Sequence, residues 1–334
     1  MDLYFPNGYL NMGAVLADRH PFIIMVGARG TGKTYGSLVA AVQSGNRFIY
    51  FRRTARIIDL IMDPALHIFK RINADQQLRI RPELTKGLGR FYDDDRDGEL
   101  IGYAAALSTF ANVRGFDGSD VELAIYDEFI PEPTERQTFN AYTALLNALE
   151  TIGRNRELEG REPLKTLLLS NSDLIYSDII AGLGIGDLLY QMQETGQEIM
   201  DVSPELLLIR PASEGFREQK ANTALYRLTA GQRYADVALA NNFPIEDRSR
   251  IKTMPISEYR PLAAIGGICI YRHKSNNTYY VTDRQTGAPK VYEDNEADRR
   301  RFLREQPHIW RAHQRRKVYF SGIDVQTRFK SIYE

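Results

Sequence analysis

The chain has 334 residues and a mass of 38.1 kDa, with 43% hydrophobic and 26% charged residues, a globular composition with length for two domains. No window reaches the ~18 uncharged apolar residues of a membrane span, and Met1 to Met12 lacks a basic stretch leading into an apolar run, so neither a membrane protein nor a secreted one is expected. One cysteine, Cys269, and five histidines without H-x-x-x-H spacing exclude a disulfide framework and a cysteine-rich zinc site, and the zero net charge hides an imbalance: 248–334 holds 18 Lys and Arg against 9 Asp and Glu, while 1–247 holds 25 against 34.

In chain order, Phe22-Ile23-Ile24-Met25-Val26 is a continuous apolar run closed by Gly27, as in a parallel strand buried on both faces. A helix is predicted from Lys33 through Val42, then strands at Phe48–Phe51, Leu123–Tyr126, Thr166–Leu169 and Leu206–Ile209, the last ending at Pro211. Gln137–Thr151 reads as helical. Strands alternating with helices predict an α/β fold with a mainly parallel sheet over 1–212. Glu214–Ala240 reads as one helical element within a linker, 213–247. After Pro261 the pattern changes to short strands, Ile265–Tyr271, Thr278–Thr282 and Lys290–Tyr292, followed by a basic helix, Glu296–Arg304. A small, basic C-terminal α/β or α+β domain over 248–334 is expected, and its charge suits a polyanionic partner.

The strongest chemical signal is Gly27-Ala28-Arg29-Gly30-Thr31-Gly32-Lys33-Thr34. It satisfies G-x-x-x-x-G-K-[ST] between a strand and a helix, the setting of a phosphate-binding loop. Its backbone N–H groups and the following helix N-terminus, with Tyr35 next in line, would cradle phosphates. Lys33 would reach the β- and γ-phosphates, and Thr34 would ligate Mg²⁺. Leu123-Ala124-Ile125-Tyr126-Asp127-Glu128 is an apolar strand ending in two carboxylates. Asp127 is placed to hold Mg²⁺ and Glu128 to polarise an attacking water, which points to hydrolysis. The chain has no N-K-x-D guanine-reading motif, so ATP is expected over GTP. Asn171, at the tip of a further strand, fits either a γ-phosphate sensor or a turn-forming Asn. Arg154 and Arg156 in Gly153-Arg154-Asn155-Arg156-Glu157 suit either a cation supplied to a neighbouring subunit's transition state or surface pairs with Glu150, Glu157 or Glu159. Arg52 and Arg53 end the second strand, where they could meet nucleotide, a neighbouring subunit or solvent.

Together these residues resemble the DNA-packaging motor ATPases of small tailed phages of the phi-twenty-nine type, relatives of terminase large subunits. The likeness rests on the loop Gly27–Thr34 with its internal Arg29, on Phe48-Ile49-Tyr50-Phe51-Arg52-Arg53, on Tyr126-Asp127-Glu128-Phe129-Ile130, on Arg154-Asn155-Arg156-Glu157 and on Leu169-Ser170-Asn171. It implies an additional-strand P-loop ATPase domain, a homopentameric ring, a portal or connector on the procapsid as docking partner, and possible docking through a structural RNA. It also implies an RNase H-like, vestigial nuclease domain at the C-terminus. The family's trans-acting arginine falls on Arg154, and a second basic residue falls on Arg114. The activity implied is ATP-driven movement of double-stranded DNA into a procapsid in the host cytoplasm.

Two other functions stay open on sequence. A terminase-like nuclease would need a cluster of acids holding two metals, and Asp283, Glu293, Asp294 and Asp324 are the acids available. A nucleotide-gated nucleic-acid-binding module would lack turnover, against which Glu128 argues. For DNA phosphates, the expected contacts are Arg300, Arg301 and Arg304 at i, i+3 and i+4 spacing and the run Arg315-Arg316-Lys317. Trp310 and Tyr319 are expected in a core.

Overall fold

The computed structural model describes residues 1–113, 115–131, 139–171, 177–212, 214–230, 248–284, 287–293 and 295–333. Its chain divides into two compact units, one of Met1–Ile179 with Leu189–Pro244 and one of Ile180–Leu188 with Ile245–Glu334. The helical segment after Pro211 falls in the first unit as far as it is described. Ile180–Leu188 joins the second unit although 56 residues separate it from Ile245 in sequence. Among the described residues, no helix is long and apolar enough to cross a membrane.

In the first unit, a short helix α1 (Met12–Leu16) precedes β1 (Phe22–Gly27), α2 (Lys33–Ser44) and β2 (Arg47–Arg52). Then come α3 (Ala55–Ile61), α4 (Lys70–Gln76), β3 (Ile80–Thr85), β4 (Leu88–Asp93) and β5 (Glu99–Ala106). β6 (Val121–Asp127), α5 (Ala141–Gly153) and β7 (Lys165–Asn171) carry the chain through the centre of the sheet. Next in the chain come α6 (Asp178–Leu183) and α7 (Gly186–Thr195), of which Ile180–Leu188 belongs to the second unit, and then, in the first, β8 (Ile199–Ser203), β9 (Leu206–Ile209), α8 (Glu214–Ala221) and α9 (Ala224–Leu228).

Among the described residues the sheet has nine strands in the order β3-β4-β5-β2-β6-β7-β1-β9-β8. The six from β5 to β9 in that order run parallel, and the edges are finished by antiparallel β3, β4 and β8. The predicted parallel sheet is therefore present, with β1 at the position expected of a strand covered on both faces. Every residue of β1 after Phe22 is buried. Ile23, Met25, Tyr50, Ile125, Leu167, Leu169 and Ile209 form one face of the core, against Leu38 and Ala41 of α2.

The second unit contains β10 (Tyr259–Ile265), β11 (Ile268–His273), β12 (Tyr279–Thr282), β13 (Val291–Tyr292) and β14 (Val318–Phe320), in the order β13-β10-β11-β12-β14. Three helices, Glu296–Glu305, Pro307–Gln314 and Ile323–Ser331, supply Phe302, Ile309 and Phe329 to its core. The stretch read as one strand, Ile265–Tyr271, is instead a hairpin: Gly266 and Gly267 both have positive φ and turn β10 into β11. The single helix predicted from Glu214 is broken at Asn222-Thr223 between α8 and α9, and its last third lies outside the described residues. Trp310 stacks between Tyr333 at 4.4 Å and His313 at 4.8 Å, and it and Tyr319 pack against core clusters as expected.

Candidate nucleotide site

The site forms where the parallel strands end. Register places Gly27 beside Asn171, Asp127 beside Leu169 and Phe51 beside Tyr126, so the loop after β1 and the ends of β2, β6 and β7 share one edge. Open α/β sheets bind ligands outside the carboxyl ends of their strands. Gly27 cannot be another residue here, because an added Cβ would lie 2.5 Å from the Pro211 ring. Gly30 and Gly32 have φ of +85° and +89°, which lets the loop fold tightly before α2.

Within the loop, the buried Lys33 ammonium donates to the carbonyls of Gly27 at 2.9 Å and Ala28 at 2.6 Å. Thr34 Oγ1 donates to Asp127 Oδ2 at 2.7 Å. Tyr50 from β2 also donates to Asp127 Oδ2, at 2.7 Å, and the Arg52 guanidinium lies 3.5 Å from the same carboxylate. Arg52 extends to Glu128, pairing directly with its carboxylate. Burial and the Asp127 charge push the Tyr50 phenol well above its ordinary value, so it remains a donor. Burial opposes the Arg52 charge, yet Tyr50, Asp127 and Glu128 hold it protonated.

Glu128 sits at φ +55°, a left-handed backbone costing a non-glycine residue about 1–2 kcal/mol. The next two amides fix it there: Phe129 N–H donates to Leu169 O at 3.2 Å and Ile130 N–H to Ser170 Oγ at 3.3 Å. A strained backbone at the tip of a central strand aims the carboxylate away from the core, and Glu128 is 53% exposed. A hydroxyl and a carboxylate meeting at Thr34 and Asp127 make the hard-oxygen donor set that suits Mg²⁺. The residues present therefore fit that ion beside a polyphosphate. Tyr35 is half-buried, and its hydroxyl accepts from Gln76 Nε2 at 3.3 Å.

The other predicted residues fall elsewhere. Arg53 is buried, with its guanidinium 5.2 Å from the Phe139 ring centre. It is Arg52, one position earlier, that reaches the carboxylates. Strand alternation explains the difference, since Tyr50 and Arg52 share a face that Arg53 does not. Arg156 is buried as well, donating to Val121 O at 2.8 Å and pairing with Glu122. It secures the start of β6, six residues from Asp127, and its carboxylate partner is Glu122 rather than the expected Glu150, Glu157 or Glu159. Arg154 stands at the same sheet end but is half exposed, bonded to Phe116 O at 3.1 Å and 3.6 Å from Asp117. Arg114, Ser172 and Asp294 lie outside the described residues.

In the second unit, Arg300, Arg301 and Arg304 are exposed on one helix, where Arg300 pairs with Glu296 at 2.5 Å and Arg301 with Asp298 at 3.2 Å. Arg315, Arg316 and Lys317 form an exposed turn into β14. Asp324 is directed to the N-terminus of α7 and accepts from Gly186 N–H at 3.3 Å. Among the described residues no three His, Cys, Asp or Glu side chains are grouped as a metal site would need.

Residues 4–254 match the family model of the podovirus DNA encapsidation protein (Gp16). The chain belongs to that family. It is 28% identical over 228 residues to the DNA packaging proteins of Bacillus phages phi29 and PZA, covering 66% of this chain and 61% of each relative. The chain thus spans less than two thirds of the length of those relatives. In fold it is similar to the Phi-28 gp11 DNA packaging motor, with a TM-score of 0.65 and 20% identity over 98% of this chain and 97% of that one. It is also similar to the bacteriophage Phi-29 viral genome packaging motor assembly, with a TM-score of 0.62 and 18% identity over 97% and 98%.

Proposed function

We propose that the chain is an ATP-hydrolysing motor subunit that drives double-stranded DNA into a viral procapsid. The observation that carries this reading is the meeting of Lys33, Thr34, Asp127, Glu128 and Asn171 at one edge of a parallel sheet. Family membership and the names of the phi29 and PZA relatives support it. Lys33, with its ammonium already turned into the loop, neutralises the β- and γ-phosphates. Thr34 and Asp127 hold Mg²⁺, which supplies charge neutralisation at the phosphate oxygens. Glu128 accepts a proton from the attacking water, and Asn171, next to Gly27, orients the terminal phosphate.

The same reading has the subunits forming a ring, a pentamer by the family resemblance, seated on the portal in the host cytoplasm with a structural RNA as a further docking partner. Arg154 completes the site of the adjacent subunit, a role supported by its exposure. The basic residues of the second unit contact nucleic-acid phosphates without reading bases. Steady-state ATP hydrolysis by the full chain, with and without duplex DNA, tests the proposal. Turnover stimulated by DNA is expected, and absent turnover under conditions of proven nucleotide binding would leave a binding module. Release of DNA ends in the same assay would instead favour a cutting enzyme.

A further inference from the structure

The phosphate loop is held by two ammonium groups. Lys33 takes the first two carbonyls, of Gly27 and Ala28. The third, Arg29 O, accepts from Lys220 Nζ at 2.6 Å. Lys220 stands in the last turn of α8, the first helix after the sheet's last parallel strand, and its Nζ also lies 5.0 Å from the ring centre of Tyr226 in α9. Tyr226 is buried, so the cation rests on a fixed surface rather than at the end of a free side chain. Upstream of α8, Pro211 packs against Gly27. The segment leaving the sheet therefore touches the loop twice, at Pro211 and at Lys220.

A carbonyl is a neutral acceptor, whereas a phosphate oxygen is charged, so an ammonium gains Coulombic attraction when it exchanges the first for the second. Lys33 belongs with the β- and γ-phosphates, and it reaches residues 27 and 28. Arg29 is the next residue along the loop, so Lys220 holds the carbonyl adjoining the two that Lys33 holds. We infer that Lys220 is a second phosphate-contacting cation of this site, exchanging Arg29 O for the γ-phosphate and moving α8 and α9 with it. The inference rests on the nucleotide reading above. It gives the triphosphate, and not the diphosphate, a lever on the segment that leads out of the ATPase unit.

The test compares nucleotide affinities in the full chain. Lys220→Gln keeps a donor for Arg29 O but removes the charge, and Lys220→Arg keeps both. Lys220→Gln should weaken binding of a non-hydrolysable ATP analogue about tenfold, the share of one charge-assisted hydrogen bond, with ADP affinity unchanged; Lys220→Arg should bind both nucleotides near normally. As a second readout, a fluorophore on Leu228→Cys, 79% exposed in α9, reports from the only accessible thiol, because Cys269 is buried. Its emission should respond to the ATP analogue and not to ADP, and the response should vanish with Lys220→Gln. Equal weakening of both nucleotides would make Lys220 a brace for loop shape, and no weakening would remove it from the site; either overturns the inference. Lys33→Ala separates the two levels. If the unaltered chain binds nucleotide only with Lys33 intact while Lys220→Gln changes nothing, the Lys220 inference falls alone. If Lys33→Ala binds as well as the unaltered chain, the nucleotide site itself is misassigned.

Discussion

The two ends of the parallel sheet use the same residue types to different effect. At the amino ends of β2 and β6, Arg47 pairs with Asp120, and Arg156 and Arg161 pair with Glu122. Arg156 and Arg161 add bonds to the carbonyls of Val121 and Ser119, both at 2.8 Å. Each cation there is held by both a backbone carbonyl and a carboxylate. At the carboxyl ends, Lys33 rests on neutral carbonyls, while Arg52, Tyr50 and Thr34 share the single carboxylate of Asp127. These are contacts that a polyphosphate and a cation can replace with stronger ones. Charge at the amino ends therefore fixes register, and charge at the carboxyl ends is available for chemistry.

The sharpest way to break this contrast is at the carboxyl end. Lys33→Ala should lower ATP turnover by about a thousandfold, since the loss of a preorganised charge at a reacting phosphate costs up to ~4 kcal/mol, while the unfolding midpoint stays near its starting value. Glu128→Gln should abolish turnover and retain ATP binding. Loss of binding together with turnover would mean that Glu128 is not the base. Next in size is Arg154, which by the ring reading costs ~10³-fold in assembled rings when replaced by Ala. Mixing Arg154→Ala with Glu128→Gln subunits should restore part of the activity, because some mixed interfaces pair an intact Glu128 with a neighbour's intact Arg154. No recovery at any ratio, in rings shown to co-assemble, would place Arg154 with the structural arginines. Arg156→Ala should act in the opposite way: about 2–3 kcal/mol of stability is lost from a buried, bonded cation, read by denaturant melts, with kcat per folded molecule unchanged.

The contrast also explains what could be read from the chain. Gly27–Thr34 and Asp127-Glu128 were legible because glycine spacing and a strand ending in carboxylates follow from local chemistry. The parallel strands were legible because burial on both faces leaves an uninterrupted apolar run. The β3–β4 hairpin was not singled out, although Lys86-Gly87 with both φ positive is its turn; its strands carry Arg81, Glu83 and Arg90 and lack that run. Arg52 against Arg53 and Arg154 against Arg156 turn on which side of the backbone a side chain leaves, and long-range packing decides that. Lys220 carries no motif at all. Its position depends on a hairpin of chain, through Pro211, returning to the loop.

The smallest predicted effect extends the contrast to the second unit, where a buried carboxylate faces two other carboxylates as well as a cation. Burial first, and then the charges of Asp187 and Asp283, raise Asp324 from 3.8 to about 6, against the opposing pull of Gly186 N–H and Arg328. A carboxyl whose folded-state value lies above its unfolded value binds its proton more tightly when folded. Its contribution is therefore most favourable at acidic pH and worsens as the pH climbs from about 4 to about 6. Above that window the ionised side chain costs on the order of 2 kcal/mol. Asp324→Asn keeps an oxygen for the Gly186 N–H and removes the charge. The variant should match the unaltered chain near pH 4, gain stability through the window, and stay more stable at pH 8, as read by the difference between paired urea melts so that all other titrations cancel. A variant less stable at pH 8 would show that the Asp324 charge serves the α7 N-terminus, and that like-charge crowding in this unit is offset by contacts stronger than a single backbone bond.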